Sequence, residues 1–216
     1  MKKVLITGAS RGIGKATAEK FLSEGWFVIG TSTSGKASLK HQNLKVYKLD
    51  LSNPKSIQEF IEKISKEKID VLINNAGIYL DSDTFPLKRG VLQQTLDVNL
   101  IGPIELTENL IPFINSDGHI INMSSPMGSI TEISGSDSPA YRISKLAINM
   151  YTRTLATELR GKGIIVSSMD PGWVKTDMGG KNAPRDPSEP AKEMFELATS
   201  KVEPGYFWHK GKKRSW

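Results

Sequence analysis

The sequence predicts an α/β fold, a single domain built on a doubly wound parallel sheet with helices on both faces. Short apolar runs alternate with helix-like segments, and a glycine-rich turn joins the first run to the first helix. At 216 residues the chain is long enough to bury one sizeable core. Strands are expected near 3–6, 26–30, 45–49, 70–73, 118–123, 164–169 and 205–208, and helices near 12–24, 54–66, 88–114, 139–160 and 188–199. Sheets of this kind bind ligands at the carboxyl ends of their strands.

The first strand and the first helix enclose the glycine-rich turn. The apolar run Lys3–Thr7 leads directly into Gly8, Gly12 and Gly14, which open the helix. Strand, turn and helix in this order form an anion site, because bare backbone lets a pyrophosphate approach and the helix N-terminus supplies N–H groups. The turn therefore indicates dinucleotide binding rather than a purely structural role. The expected contacts are Gly8, Ser10, Arg11, Gly12, Ile13 and Gly14.

The second and third predicted helices carry different signals. Residues 54–66 place Ile57, Phe60, Ile61 and Ile64 on one apolar stripe, and Asn53 and Pro54 before them are typical of a helix cap and a first helical turn.

In the third helix, Pro103 stands four residues after Asn99. Because proline has no N–H, the carbonyl of residue 99 loses its helical partner and is free to hold a water. A proline kink without a catalytic purpose is the alternative.

The fourth helix carries a phenol and an ammonium four residues apart, Tyr141 and Lys145. Positions i and i+4 lie on the same face of a helix, so the two side chains should be neighbours. A nearby positive charge lowers the pKa of a phenol, which suits proton exchange with an alcohol or carbonyl oxygen. Taken alone, the spacing also fits an ordinary surface pair.

Several motifs together resemble the short-chain dehydrogenase/reductase family. They are Thr7–Gly14, Asn74–Gly77, Asn99, Ser124-Ser125, Tyr141-x-x-x-Lys145 and Pro171-Gly172-x-x-x-Thr176. Residues 171–180 and 205–216 further resemble the C-factor and sniffer-like carbonyl reductase subgroup. The resemblance implies a Rossmann fold and the catalytic set Asn99, Ser125, Tyr141 and Lys145, with Ser124 as the alternative serine. Ser125 would hold the carbonyl oxygen, Tyr141 would deliver the proton, and the carbonyl of Asn99 would take part in a proton relay through Lys145.

The same resemblance implies further cofactor contacts. Asp50 would contact the adenine ring with Leu51 beside it, although Asp50 could instead cap the following turn. Tyr141 and Lys145 are expected to touch the cofactor as well, and Val174 and Thr176 would fix the nicotinamide carboxamide. The remaining expected contacts are Asn75, Ala76, Gly77 and Pro171.

The segment after the second strand predicts which cofactor is used. An acidic residue there would bind the ribose 2′-hydroxyl of NAD, but Thr31–Lys36 offers hydroxyl groups and one cation. Together with Arg11, these groups can donate to a 2′-phosphate. NADP(H) is therefore the predicted cofactor, read by Arg11 and Thr33, with NAD(H) as the alternative.

Composition narrows the class of protein. With 38% hydrophobic and 24% charged residues and no cysteine, the sequence is typical of a soluble globular protein and offers no disulfide or cysteine metal site. No metal site, membrane segment or nucleic-acid motif is predicted, although the formal charge is +6. The basic cluster Lys210, Lys212, Lys213 and Arg214 is expected to be a solvated tail. We expect a cytoplasmic protein.

These observations predict an oxidoreductase that reduces a ketone or an aldehyde with NADP(H), or runs the reverse reaction. Substrate specificity is expected from the loop 126–139, which is longer than the family pattern, and from a substrate-loop region at about 177–200 that begins with a lid at 177–190. The alternative is a dinucleotide-binding sensor of redox state with little turnover. A homodimer and a homotetramer both remain open.

Overall fold

The chain folds around one eight-stranded sheet in a computed structural model that describes residues 1–81, 86–133 and 135–216. The strand order is β3-β2-β1-β4-β5-β6-β7-β8. β1 to β7 run parallel and β8 pairs antiparallel with β7, which confirms the doubly wound α/β fold. The strands are β1 (Lys3–Ile6), β2 (Phe27–Ser32), β3 (Leu44–Lys48), β4 (Ile69–Asn74), β5 (Ile114–Met123), β6 (Ile165–Met169), β7 (Phe207–His209) and β8 (Lys212–Arg214).

Helices cover both faces of the sheet. They are α1 (Gly12–Ser23), α2 (Pro54–Ile64), α3 (Arg89–Leu96), α4 (Gly102–Leu110), α5 (Pro139–Glu158) and α6 (Ser188–Thr199). Successive strand residues point to opposite faces, so neighbouring positions enter different cores. Leu5 and Leu72 pack with α2, α4 and α5, whereas Val4 and Ile73 pack with α1 and α6. No helix in the described ranges has the length and apolarity needed to cross a membrane.

The predicted helix 88–114 is wrong as a single element. It divides into α3, a π-helical segment at Asp97–Ile101, α4 and a short 3-10 turn at Ile111–Phe113. Pro103 stands at the first turn of α4 and cannot donate to the carbonyl of Asn99, so the regular ladder must change near this point. Gly102 instead donates its N–H to Asp97 O, five residues back. The irregularity that the sequence places at Pro103 is therefore a π-bulge.

The predicted solvated tail is wrong for the backbone and for Arg214, although Lys210, Lys212 and Lys213 are exposed. Lys212–Arg214 forms β8, which pairs with β7 through a two-residue turn at Lys210 and Gly211. Both turn residues have positive φ angles, 49° and 71°, as the favoured two-residue hairpin requires. A glycine after a short apolar strand was the available signal, but the basic side chains that follow it resemble a solvated face.

Candidate active site

A cleft of about 780 Å³ opens at the carboxyl ends of the central strands. Here the chain crosses from one face of the sheet to the other, since β1 lies between β2 and β4. Most of the predicted site residues line this cleft. They are Gly8, Ser10, Arg11, Gly12, Ile13, Gly14, Thr33, Asn75, Ala76, Gly77, Ser125, Tyr141, Lys145, Pro171, Val174 and Thr176.

The glycine-rich turn is shaped for close approach of a ligand to backbone. Gly8 and Gly12 have φ angles of 69° and 54°, which side-chain-bearing residues rarely adopt. A Cβ atom on Gly14 would lie 2.2 Å from Gly8 O and 2.5 Å from Asn75 Nδ2. Asn75 Nδ2 also donates to Thr7 O at 2.9 Å, which ties the turn to the end of β4. Bare backbone at a helix N-terminus, facing a long cleft, fits a dinucleotide.

Tyr141 is buried at one end of the cleft, beside Ser125. Burial raises the pKa of its phenol to about 12, although a hydrogen bond with Ser125 acts in the opposite direction. The expectation that Lys145 lowers this pKa is wrong, because desolvation of the phenol outweighs the other contributions. A phenol with a raised pKa keeps its proton at neutral pH and can donate it.

Lys145 lies on the same face of α5 as Tyr141, as the i,i+4 spacing predicted. Its Nζ is 5.5 Å from the centroid of the Tyr141 ring and donates to Met123 O at 2.9 Å. Burial lowers the pKa of Lys145 to about 8. With a pKa of about 8, the ammonium group is still mostly charged at pH 7.

The two adjacent serines have different surroundings. Ser124 is buried and its hydroxyl donates to Lys145 O at 3.3 Å. Ser125 Oγ accepts from Met127 N at 3.2 Å, and the Ser125 side chain acts to lower the pKa of the Tyr141 phenol. Among the described residues, Ser125 and not Ser124 contributes to the pKa shift of Tyr141. This geometry favours Ser125 over Ser124 as the serine that works with Tyr141.

Asn99 is buried behind the cleft and does not line it. Its Oδ1 accepts from Ile78 N at 2.8 Å, and its Nδ2 donates to Ile78 O at 2.9 Å. The same Nδ2 donates to Ser144 Oγ at 3.1 Å, within α5. Asn99 therefore connects the segment after Gly77 to the helix that carries Tyr141, and its part in a proton relay stays a prediction.

Asp50 and Leu51 are not brought to the cleft. The Asp50 carboxylate accepts from Ser52 N at 3.0 Å and from Ser52 Oγ at 2.7 Å, as the capping alternative describes. Leu51 is buried in the core that contains α2 and α4. Their predicted contact with the adenine ring stays a prediction.

The expected 2′-phosphate readers lie at the other end of the cleft. Thr33 lines it together with Ser32, which ends β2. Arg11 is largely exposed and its Nη1 pairs with Asp177 Oδ2 at 2.5 Å. Asp177 belongs to the expected lid, and its carboxylate therefore pairs with the guanidinium that we predict to bind the 2′-phosphate. Asp177, Met178 and Gly179 are the parts of the substrate-loop region that line the cleft.

Three residues near Tyr141 were missed in the sequence. The Tyr79 ring packs edge-to-face on Tyr141 with centroids 4.9 Å apart, and its hydroxyl is 2.7 Å from Ser138 Oγ. Asp81 is buried and accepts from Ala140 N at 2.6 Å, which caps the N-terminus of α5. The partners in both contacts are more than fifty residues apart in the sequence, so no local sequence pattern predicts them.

Ser134 of the expected substrate loop lies outside the described residues.

Comparisons with known proteins agree with this geometry. Residues 2–187 match the family model for short chain dehydrogenases. The chain is 36% identical over 187 residues to a 3-amino-tetrahydro-pyrrolizinone reductase of Xenorhabdus hominickii, covering 83% of this chain and 64% of that relative, which is less than two thirds of its length.

Two solved structures resemble the whole chain. An NADPH-bound carbonyl reductase from chicken fatty liver has a TM-score of 0.89 and 29% identity, with 100% of this chain and 99% of the other covered. The carbonyl reductase Sniffer of D. melanogaster has a TM-score of 0.87 and 28% identity, with both chains fully covered at 100%. The fold, the glycine turn and these likenesses agree, and the chain belongs to the short chain dehydrogenase family.

Proposed function

We propose that this chain is an NADP(H)-dependent oxidoreductase that reduces a ketone or an aldehyde to an alcohol, or runs the reverse reaction. One observation carries the proposal. The buried phenol of Tyr141 lies beside the Ser125 hydroxyl, in the same cleft that the glycine turn lines. The chemistry of that pair is proton transfer to an oxygen atom.

The roles of the side chains follow from their positions. Bound NADPH supplies the hydride. Ser125 holds the carbonyl oxygen by a hydrogen bond, and Tyr141 donates its proton to that oxygen as negative charge develops on it. Lys145 would hold the nicotinamide ribose and, with the carbonyl of Asn99, would pass a proton from solvent back to Tyr141 after the phenol has donated its own. Pro171, Val174 and Thr176 also line the cleft and would orient the nicotinamide ring.

The raised pKa of Tyr141 keeps the phenol in its acid form at neutral pH. With a pKa of about 12, the phenol is almost fully protonated at pH 7 and is ready to act as an acid. Alcohol oxidation needs the phenolate as the base, whose population grows with pH. We therefore expect oxidation to gain on reduction as the pH rises.

NADP(H) is the proposed cofactor, with NAD(H) as the weaker alternative. The absence of an acidic residue in Thr31–Lys36 and the positions of Arg11 and Thr33 at the cleft support it. The chicken carbonyl reductase that the chain resembles is described with NADPH bound.

An absorbance assay tests the proposal. NADPH oxidation is followed at 340 nm against a panel of aldehydes, ketones and cyclic imino-carbonyl compounds, with wild-type protein and Tyr141→Phe in parallel. We expect turnover of at least one class by the wild type and loss of about 10²-fold or more in the variant. NADPH binding without tyrosine-dependent turnover of any member would instead support the redox sensor, which the reductase relatives do not favour.

We also propose a small-molecule substrate, a cytoplasmic location and a homodimer or homotetramer. The outer face of α5 exposes Ile143 and Met150, which supports pairing between copies of the chain. Light scattering tests the assembly, and a monomer at micromolar concentration would contradict it. Cell fractionation tests the location.

A further inference from the structure

A buried carboxylate stands immediately before Pro171 and Gly172, outside the predicted site residues. Asp170 is fully buried, and its Oδ1 accepts from Gly172 N at 2.7 Å. Its Oδ2 pairs with Arg214 Nη1 and lies 3.1 Å from His209 Nδ1. A carboxylate without exposure is stable only when it is paired and hydrogen-bonded, so these partners are structural requirements. The turn that begins the wall of the cleft is thus fixed from β7 and β8.

The same guanidinium reaches a second loop. Arg214 Nη2 pairs with Glu132, in the segment that follows Ser125. The Arg214 side chain is only 18% exposed, so the two ion pairs are partly shielded from water. Arginine suits such a bridge, because its planar guanidinium donates in several fixed directions.

Backbone groups beyond β8 strengthen the connection to this loop. Thr131 donates to Trp216 O from its N–H at 3.1 Å and from its hydroxyl at 2.9 Å. The Trp216 ring stacks on Phe207 of β7, with centroids 5.6 Å apart and planes at 17°. Residues 212–216 therefore contact two loops that leave adjacent strands, β5 and β6, at the edge where the cleft opens.

We propose that Arg214 is a positioning residue that holds the Ser125 loop and the Pro171-Gly172 turn in a fixed relation across the cleft. This proposal rests on the proposed function, because the two loops carry the serine and the nicotinamide contacts respectively. The segment expected to be a solvated tail would then set the distance between the carbonyl oxygen and the transferred hydride. A misplacement of these groups of about 1 Å is enough to slow an enzyme substantially.

Arg214→Met tests the proposal, with Lys213→Met as the matched control. Lys213 is the neighbouring residue of β8 and pairs with the exposed Glu203, so the control removes a cation from the same strand. We expect Arg214→Met to lower kcat by roughly 10- to 100-fold and to raise the KM for NADPH, while Lys213→Met stays within about 2-fold of wild type. Equal kinetic constants in the two variants would overturn the proposal.

Arg214→Met leaves Asp170 with a weakened set of partners and can fail to fold for that reason. The double variant Arg214→Met/Asp170→Asn removes both charges and keeps an oxygen that accepts from Gly172 N. The double variant should fold and should keep the lowered kcat and the raised KM for NADPH. Wild-type values of both constants in the double variant would contradict the positioning role of Arg214. Glu132→Ala, which cuts only the second ion pair, should raise the KM for the carbonyl substrate and leave the KM for NADPH unchanged.

Hydrogen exchange separates this proposal from the proposed function. Backbone amides at residues 129–132 and 170–174 should exchange faster in Arg214→Met/Asp170→Asn than in Lys213→Met, with β4 and α2 unchanged. Unchanged exchange at both loops would overturn the proposal, whatever the activity. Faster exchange at both loops, in a protein whose wild type reduces no carbonyl, would reject the proposed function alone.

Discussion

At the scale of a single residue, Lys145 combines a candidate catalytic position with a cost to the stability of the fold. Burial lowers its pKa from 10.5 to about 8, which corresponds to a penalty of about 3 kcal/mol for the charged form at neutral pH. Its Nζ has a protein partner in Met123 O, which offsets part of that penalty. A residue retained at such a cost is typical of a functional site.

We predict that Lys145→Met is more stable than wild type at pH 7 and has lost most of its activity. Between pH 8 and 10.5 the unfolded chain binds the lysine proton and the folded chain does not, so the stability of the wild type rises with pH. The advantage of the variant should therefore shrink over that range. Thermal unfolding of both proteins at pH 7 and pH 10 measures this difference in stability. If the advantage of the variant over wild type is smaller at pH 7 than at pH 10, the lowered pKa of Lys145 is refuted.

Substitutions at Arg11 and at Asp177 should change the KM for NADPH in opposite directions. Asp177 competes with a 2′-phosphate for the Arg11 guanidinium, because the two side chains form an exposed ion pair at 2.5 Å. Arg11→Ala should raise the KM for NADPH by roughly 10-fold and leave the KM for NADH unchanged. Asp177→Asn should lower the KM for NADPH. Steady-state kinetics with NADPH and with NADH measure these changes in KM. The control is Lys15→Ala, which breaks the exposed ion pair of Lys15 with Glu19.

At the scale of an element, the glycine turn tolerates no side chain at Gly14. An added Cβ would lie 2.2 Å from Gly8 O, and that atom belongs to backbone that cannot move without opening the turn. Gly14→Ala should therefore weaken NADPH binding by at least about 10-fold and lower the unfolding temperature by several degrees. Gly161→Ala is the control, since no described atom lies within 4 Å of its Cβ position. Equal binding by the two variants would argue against the turn as the cofactor site.

Elements with a complete local signal were predictable from the sequence. In α2, Asn53 Oδ1 accepts from Ser56 N at 3.3 Å, and the stripe of Ile57, Phe60, Ile61 and Ile64 is buried as expected. The π-bulge was only half predictable. Pro103 predicts that one helical hydrogen bond is lost. Whether the helix then kinks or forms a π-bulge depends on packing against α5, for example on the hydrogen bond from Asn99 to Ser144.

Features that depend on distant residues could not be predicted. The pKa of Tyr141 is set by burial, and neighbours such as Tyr79 come from another part of the chain. Similarly, β8 is a strand because β7 offers it an edge, while its own Lys-Lys-Arg sequence favours solvent. Motif spacing therefore predicted most of the residues that line the cleft, whereas their protonation and mutual distances required the folded structure.

At the scale of the whole molecule, two cores on opposite faces hold the sheet rigid beneath the cleft. α1 and α6 pack on one face and α2, α4 and α5 on the other, so the glycine turn and the Tyr141 helix approach the cleft from opposite sides. A dinucleotide lying across the sheet edge would place its pyrophosphate at Gly12 and its nicotinamide end at Tyr141. The architecture thus brings the proposed cofactor site and the proposed proton donor to one cleft.

The most direct measurement of the central claim compares kcat/KM for carbonyl reduction between wild type and Tyr141→Phe, with NADPH binding measured for both. The substitution removes one hydroxyl from a buried ring, so binding should remain within about 2-fold of wild type while kcat/KM falls by about 10²-fold or more. A variant that binds NADPH and still reduces the carbonyl at the wild-type rate would show that Tyr141 does not deliver the proton.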